Sequence, residues 1–171
     1  MKTIAETERL ILREFDPLKD ANNAYELNAD PEVIKYTGDP PFESVQAAQD
    51  FLANYTDYKR NGYGRWAVEL QDGTFIGWAG LKLEENGIVD LGYRFMKKYW
   101  GKGYATEAAR VCLDLAFNRL GIQEVIGRTA SENTGSIKVL DKCGFEFWKE
   151  DECNGIEDSY YYRISKSQYL R

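Results

Sequence analysis

Apolar and polar residues alternate along several short stretches of the chain, and such alternation is typical of strands with one buried face. It begins over residues 7–13 and returns over residues 65–70, 75–83 and 88–95. Asp72-Gly73 and Asn86-Gly87 separate the last three stretches, and pairs of this kind favour tight hairpin turns. The pattern therefore predicts a first strand and, after a gap, an antiparallel meander of three strands.

Helices are predicted between the first strand and the meander. Asp16-Pro17 is a typical helix start, and the helix is predicted to run to about Asn28. Asp30-Pro31 begins a short turn or helix, and residues 38–41 break it. Ser44 then caps another helix, whose side chains include Val45, Ala48, Phe51, Leu52 and Tyr55.

After the meander, small residues recur at helical spacing and predict a helix from about Gly103 to Leu120. Gly121 would end this helix in a left-handed conformation. A fifth strand is predicted over residues 124–129. Asn133 or Thr134 then caps a further helix, which ends at Gly144.

The last part of the chain predicts a hairpin of residues 145–149 and 159–164 across Asn154-Gly155. No repeat, linker or low-complexity tract interrupts the order of elements. The pattern therefore predicts one domain over residues 1–171. Its fold class is α+β, with one mixed, mostly antiparallel sheet and helices on both faces.

A basic turn with two glycines, Gly101 and Gly103, lies between the fourth predicted strand and the helix that follows it. The first turn of a helix leaves backbone N–H groups unpaired and carries partial positive charge. The glycines let a ligand approach the backbone, and three lysines surround the same point: Lys97, Lys98 and Lys102. The turn therefore predicts an anion site, with phosphate as the favoured ligand.

Two familiar phosphate loops do not match the spacing of this turn. The P-loop requires a Gly-Lys-Ser/Thr ending, and Gly101-Lys102-Gly103-Tyr104 does not supply it. The dinucleotide fingerprint requires a third small residue three positions after its second glycine, where Thr106 stands. Binding of a nucleotide through either of these two loops is therefore not favoured, and it ranks third after the two hypotheses given below.

The turn does resemble the acyl-CoA pyrophosphate loop of the GNAT acyltransferase superfamily, which reads Gln/Arg-x-x-Gly-x-Gly/Ala. Trp100-Gly101-Lys102-Gly103-Tyr104-Ala105 occupies those six positions, with Trp where Gln or Arg is usual. Residues 7–13 resemble the opening strand of one branch, the ribosomal-protein N-terminal acetyltransferases RimJ and RimL. Asn133-Thr134-Gly135-Ser136 and Lys142-Cys143-Gly144-Phe145 resemble that branch's second block. The three blocks keep the family's order.

This resemblance implies a seven-stranded sheet whose strands four and five run parallel and splay apart. The opening would admit the pantetheine arm of acetyl-CoA, the cosubstrate, and the Phe95 N–H would hold the thioester oxygen. The cofactor-binding residues that the resemblance implies are Phe95, Lys97, Trp100, Gly101, Lys102, Gly103, Tyr104, Ala105, Thr106, Asn133, Ser136 and Lys142. Trp100 either packs within the loop or contacts the adenine, and Asn133 also caps its helix.

Composition narrows the chemistry, because the chain contains no histidine. Hydrolases with a histidine base are excluded, and proton transfer must use a carboxylate, tyrosine, lysine, cysteine or water. The net charge of −6 disfavours nucleic-acid binding and suits cationic acceptors. Three cysteines without metal spacing, and no apolar run of membrane length, predict a cytoplasmic protein without metal or membrane partner. The aromatic last strand could form an edge contact between subunits, so either a monomer or a homodimer is expected.

Amine acetylation requires a neutral amine, a held oxyanion and a proton for the leaving thiolate. The resemblance places Ser136 near the sulfur as a candidate proton donor. Many superfamily members use a tyrosine just beyond this point, and none stands there in this chain. The alternatives are the tyrosines of the last predicted strand, Tyr160, Tyr161 and Tyr162.

Two carboxylates are candidates for the base. Asp90 shares a strand face with Arg94, which would hold it ionised with a lowered pKa and make it an anchor for a cationic amine. Glu157 precedes the last strand and is either a base or an exposed turn residue. A water chain between a carboxylate and the amine is equally consistent with the pattern.

The leading hypothesis is acetyl transfer from acetyl-CoA to a primary amine, on a protein N-terminus or a small molecule. The alternative is a non-catalytic acyl-CoA-binding sensor or assembly module with the same fold. Four carboxylates between the early helices either wall the acceptor site or form a solvated acidic loop: Asp30, Glu32, Asp39 and Glu43.

Overall fold

The computed structural model describes residues 2–170, and its strands form one mixed sheet. In chain order the strands are β1 (Thr3–Glu6), β2 (Leu10–Arg13), β3 (Arg65–Leu70), β4 (Phe75–Leu83), β5 (Val89–Phe95), β6 (Glu124–Ala130), β7 (Glu146–Cys153) and β8 (Ile156–Ser165). Their order across the sheet is β1-β2-β3-β4-β5-β6-β8-β7. Only β5 and β6 are parallel neighbours among these strands. The predicted meander, crossover and final hairpin are confirmed.

The sheet has eight strands, so the expectation of seven was wrong. Residues 7–13 do not form one continuous first strand, because the chain turns at Thr7. The Thr7 N–H donates to the Leu10 carbonyl at 2.8 Å, and the Leu10 N–H donates to the Thr7 hydroxyl at 2.9 Å. This turn folds β1 back onto β2 as an additional edge strand.

Seven α-helices connect or flank the described strands: α1 (Pro17–Ala29), α2 (Pro31–Ile34), α3 (Val45–Ala53), α4 (Asp57–Asn61), α5 (Tyr104–Asp114), α6 (Thr134–Lys142) and α7 (Lys166–Tyr169). The predicted caps are confirmed, since Asp16 accepts from the first turn of α1 and Ser44 accepts from Ala47. Helix α3 ends at Ala53, so Tyr55 lies beyond it, and the sequence pattern gave no signal for α4.

The helix predicted from Gly103 to Leu120 is α-helical only as far as Asp114. After α5 the chain forms a π-helical turn over Leu115–Arg119, and Gly121 follows with φ +68°. The small side chains of Ala108, Ala109 and Cys112 are fully buried, which lets α5 lie close against the sheet. Burial raises the pKa of the Cys112 thiol to about 12, so this cysteine packs as a small apolar residue.

The two faces of the sheet carry different helices. Trp66 and Ala67 are consecutive on β3 and therefore point to opposite faces. Trp66 packs in the core that contains α5, whereas Ala67 packs with Leu27 of α1. Helices on both faces are thus confirmed. None of the helices described in residues 2–170 is long and apolar enough to cross a bilayer.

The parallel ladder between β5 and β6 is short. Its pairs are Val89–Val125, Asp90–Ile126 and Leu91–Gly127. Both strands continue past these pairs, β5 to Phe95 and β6 to Ala130. The residues past the ladder lie at the centre of the sheet, where the crossover helix α5 leaves one strand and α6 follows the other.

Candidate active site

The turn before α5 has the backbone geometry of an anion site. Gly101 and Gly103 adopt φ +74° and +83°, which disfavours residues with a Cβ atom. A Cβ at Gly101 would meet no atom within 4 Å, so the turn is open on that side. Gly103 is the N-cap of α5, and no side chain of residues 2–170 caps that helix start. The first N–H groups of α5 are therefore available to a ligand.

Arg9, in the turn between β1 and β2, holds this loop through a contact that was not predicted from the sequence. Its guanidinium donates to the Lys102 carbonyl at 2.9 Å and to Glu107 Oε1 at 2.8 Å, and it lies 4.4 Å from the centre of the Tyr104 ring. Glu107 is in the first turn of α5, where a free carboxylate would repel an anion. Pairing with Arg9 removes this repulsion.

Trp100 connects the turn to the end of β5. Its indole Nε1–H donates to the Phe95 carbonyl at 2.8 Å, while 46% of the residue remains exposed. The indole therefore holds the loop in place, and a contact with adenine stays a prediction. Ala105 and Thr106 are half-buried at the helix start, and the three lysines of the turn are exposed around it.

The backbone of Phe95 points away from β4. The Met96 N–H donates to the Ile76 carbonyl at 2.9 Å, which makes Gly77 and Phe95 a non-hydrogen-bonded pair. The Phe95 N–H and C=O consequently point to the β6 side of β5. The C=O already accepts from Trp100, and the N–H is directed to the region past the ladder.

Ser136 lies in the first turn of α6 and contacts Tyr93 of β5. Asn133 caps α6 by accepting from the Ser136 N–H at 3.2 Å. The Tyr93 hydroxyl lies 2.9 Å from Ser136 Oγ and 3.1 Å from the Ser136 carbonyl oxygen. Burial raises the pKa of Tyr93, so the phenol keeps its proton at neutral pH.

Tyr93 is the tyrosine that sequence analysis missed near Ser136. The signal was present, because strand alternation places Tyr93 on the same face as Leu91 and Phe95, toward α5 and α6. The tyrosines of β8 lie elsewhere. Tyr161 donates to the Glu152 carbonyl at 2.7 Å and Tyr160 packs against Phe147, outside the cleft described below.

Asp90 does not pair with Arg94, so that expectation was wrong. Its carboxylate lies 2.9 Å from Arg65 and 3.2 Å from Arg128, and the residue is 5% exposed. Arg94 instead donates to Asn28 at 2.8 Å and to Asp39 at 2.7 Å. The reason is distance, since four residues of strand separate Asp90 and Arg94 by about 13 Å.

Glu157 and Lys142, which were also predicted as site residues, are exposed. Glu157 lies on β8 outside the lining of the cleft described below. Lys142 is at the end of α6, where its carbonyl accepts from Arg110 at 3.1 Å. Their assigned roles stay predictions.

A cleft of about 810 Å³ is lined by Asp90, Tyr93 and Ser136, and its volume is within the size range of small-molecule sites. From β5 and β6 it is lined by Asp90 and Leu91 of the ladder and by residues past the last ladder pair, including Arg94 and Ala130. At one end it reaches Asn133 and Ser136, and at the other it opens between α1, α3 and β4. The turn before α5 lies outside this lining.

The turn of the β7–β8 hairpin closes part of the cleft mouth. Asn154 Nδ2 donates to the Thr37 carbonyl at 2.6 Å and to Asp39 Oδ1 at 3.1 Å. Gly38 has φ +71°, and a Cβ there would lie 2.1 Å from the Asn154 carbonyl oxygen. Only glycine therefore permits this contact, which joins segments more than 100 residues apart.

Comparisons with known proteins agree with this arrangement. The family described as "Acetyltransferase (GNAT) domain" matches residues 9–146, and the chain therefore belongs to the GNAT family. An uncharacterized N-acetyltransferase, p20 of Bacillus licheniformis, is 32% identical over 95% of this chain and 96% of its own. These relationships identify an acetyl-CoA-dependent N-acetyltransferase.

Solved structures show the same fold. A GNAT-family acetyltransferase from Bacillus anthracis superposes with a TM-score of 0.81 at 28% identity, over 96% of this chain and 99% of that one. Spermidine N-acetyltransferase from Vibrio cholerae, in complex with CoA and spermine, gives 0.82 at 22% identity, over 96% and 100%. At that identity the second likeness establishes the fold alone.

Proposed function

We propose that the enzyme transfers the acetyl group of acetyl-CoA directly to a primary amine held in the cleft, without an acyl-enzyme intermediate. The acceptor is a small molecule or a protein N-terminus. The observation that carries this proposal is the cleft itself, which passes the end of the β5–β6 ladder and reaches Ser136. An acceptor in the cleft and a thioester beside Phe95 would meet there.

In this proposal β5 and β6 splay past Leu91 and Gly127, and the pantetheine arm occupies the opening. The main chain of Phe95 and Lys97 pairs with its amides, and Asn133 contacts it from α6. The turn residues 102–106 offer N–H groups to the diphosphate, supported by the open backbone at Gly101 and the uncapped start of α5. Lys142 contributes positive charge from the end of α6.

The Phe95 N–H supplies the oxyanion donor. Its direction away from β4 leaves it free for the thioester oxygen, on which negative charge develops during attack. A preorganised donor of this kind lowers the barrier by about 3 kcal/mol. The Trp100 indole stabilises this geometry because it holds the adjacent Phe95 carbonyl.

Ser136 gives its proton to the departing CoA thiolate and takes a proton back from water in the cleft. Tyr93 fixes the orientation of Ser136 Oγ and remains protonated because burial raises its pKa. The proton that the amine loses leaves through water in the cleft. Asp90 lines the cleft and Glu157 does not, so Asp90 is the better placed of the two bases, with water between because both its oxygens accept from arginines.

The RimJ/RimL branch, the cytoplasmic location and the monomeric or homodimeric state stay predictions. A non-catalytic module with the same fold is the weaker hypothesis, since the family and the named relatives are acetyltransferases.

Release of the free CoA thiol, measured with acetyl-CoA and a panel of primary amines, tests the proposal. Ser136→Ala should lower kcat by at least about 100-fold, as expected for loss of a proton donor, while acetyl-CoA affinity stays within about twofold. Ser167→Ala, an exposed serine on α7, is the matched control and should retain activity. Tight acetyl-CoA binding without thiol release for any amine would contradict the proposal.

A further inference from the structure

The charged residues that line the cleft balance one another. Four ion pairs line it: Arg94–Asp39 at 2.7 Å, Arg128–Glu84 at 2.7 Å, Arg65–Asp90 at 2.9 Å and Arg128–Asp90 at 3.2 Å. Lys82 and Asp57 complete the charged lining, which makes four cations and four carboxylates. Of the two alternatives for the early carboxylates, an acidic wall of the acceptor site does not form: Asp39 lines the cleft but is paired with Arg94, and Asp30, Glu32 and Glu43 do not line it.

One wall of the cleft mouth is aromatic. Phe42 and Phe51 lie 5.6 Å apart between ring centres, and Tyr55 lies 6.3 Å from Phe51. Phe51 is 55% exposed although it is a large apolar residue. The floor adds Trp78, with the guanidinium groups of Arg65 and Arg94 within 5.3 Å of its ring. The cleft therefore presents apolar surface at its mouth, and six of its eight charged groups are already engaged in ion pairs.

We infer that the acceptor is a monoamine with an apolar or aromatic body, an inference that rests on the proposed function. A polyamine brings further ammonium groups, each of which needs a carboxylate that no arginine already holds. Of the cleft carboxylates in residues 2–170, Asp57 alone lies outside these ion pairs, and it stands in the first turn of α4, where the helix start already offsets its negative charge. A single amine needs no such partner, because it reacts in its neutral form, and its body covers the aromatic wall.

Matched amines test the charge preference directly. Pentylamine and 1,5-diaminopentane have the same chain length and differ in one terminal amine, and phenethylamine adds an aromatic body. The rate of thiol release should give kcat/KM at least about tenfold higher for pentylamine than for the diamine, and higher again for phenethylamine. A diamine or spermidine that reacts as well as the monoamines overturns the inference.

Two phenylalanine variants test the aromatic wall. Phe51→Ala should raise KM for phenethylamine about fivefold with kcat unchanged, since it removes contact area and no reacting group. Phe147→Ala is the control, because Phe147 is also 55% exposed but lies on β7 outside the cleft lining. An equal KM for both variants and the unmodified protein overturns the role of the wall.

Calorimetric titration of each amine into CoA-saturated protein distinguishes a failure of the proposed function from a failure of the monoamine inference. Absence of turnover with every amine counts against the proposed function. Tighter binding of the diamine than of pentylamine counts against the monoamine inference, whether or not turnover is seen.

Discussion

The turn before α5 and the acceptor cleft bind their ligands by different means. The turn offers main-chain N–H groups at an uncapped helix start, beside two glycines with positive φ. The cleft is built from side chains, whose charges are fixed by ion pairs between strands and loops distant in sequence. A backbone site depends on local chain geometry, whereas a side-chain site depends on the whole sheet being in register.

This difference has consequences for substitution. In the turn, a side chain matters mainly when it blocks approach to the backbone or strains it. In the cleft, removal of one charged group leaves its buried partners without compensation. We therefore expect changes in the cleft to affect folding stability, and changes in the turn to affect cosubstrate affinity.

The largest effect is expected from Asp90→Asn in the cleft. Asp90 is 5% exposed and holds both Arg65 and Arg128, so the variant leaves Arg65 without its ion-pair partner and Arg128 with Glu84 alone. Loss of about 3 kcal/mol in the free energy of unfolding is expected, measured by urea denaturation. Asp151→Asn breaks an exposed pair with Lys149 and should cost less than about 1 kcal/mol. Equal losses for both variants would contradict the account of the cleft.

Gly103→Val tests the turn. Its side chain would block phosphate approach at the start of α5, and we expect acetyl-CoA affinity to fall at least about tenfold, or 1.4 kcal/mol, by calorimetry. Gly73→Val controls for strain, since Gly73 also has positive φ, +87°, in the open β3–β4 turn. Its acetyl-CoA affinity should be unchanged. A folded Gly103→Val protein with normal affinity would argue against the site.

Tyr93→Phe acts at the junction of the two regions. Loss of the hydroxyl that orients Ser136 Oγ should lower kcat about fivefold, close to 1 kcal/mol, while acetyl-CoA affinity is retained. Tyr161→Phe also removes a hydroxyl bonded to a backbone carbonyl, but one outside the cleft. Steady-state kinetics should separate the two variants, and identical kcat values would show that Tyr93 only packs.

The smallest effect is expected from Asn154→Ala at the cleft mouth. The variant removes the side-chain bonds to Thr37 and Asp39, so the acceptor KM should change about two- to threefold, with acetyl-CoA affinity unaffected. Asn86→Ala, in the distant β4–β5 turn, serves as its control. A changed acetyl-CoA affinity in Asn154→Ala would show that the two regions are not independent.

The same contrast explains which features were predictable from the sequence. The left-handed Gly121, the Asn154-Gly155 turn and the helix caps at Asp16 and Ser44 were predicted because each is a local requirement of the chain. The turn with Gly101 and Gly103 was located from its local sequence as well, although their positive φ was not foreseen. The local pattern also predicted the order of the strands along the chain, apart from the edge strand β1, which the turn at Thr7 creates.

Contacts between distant segments were not predictable in this way. Alternation places Asp90 and Arg94 on one face of β5, but it does not predict that Asp90 pairs with Arg65 and Arg128 from neighbouring strands. The ion pair between Arg9 and Glu107 joins residues that are nearly 100 positions apart, so it depends on the register of the whole sheet. The sequence therefore predicts the cosubstrate turn better than the acceptor cleft.

A crystal structure with acetyl-CoA would test the central claim most directly. We predict that the diphosphate oxygens accept hydrogen bonds of about 2.9 Å from the backbone N–H groups at the start of α5, between Gly103 and Thr106. A diphosphate bound elsewhere, with this helix start facing only solvent, would contradict the account.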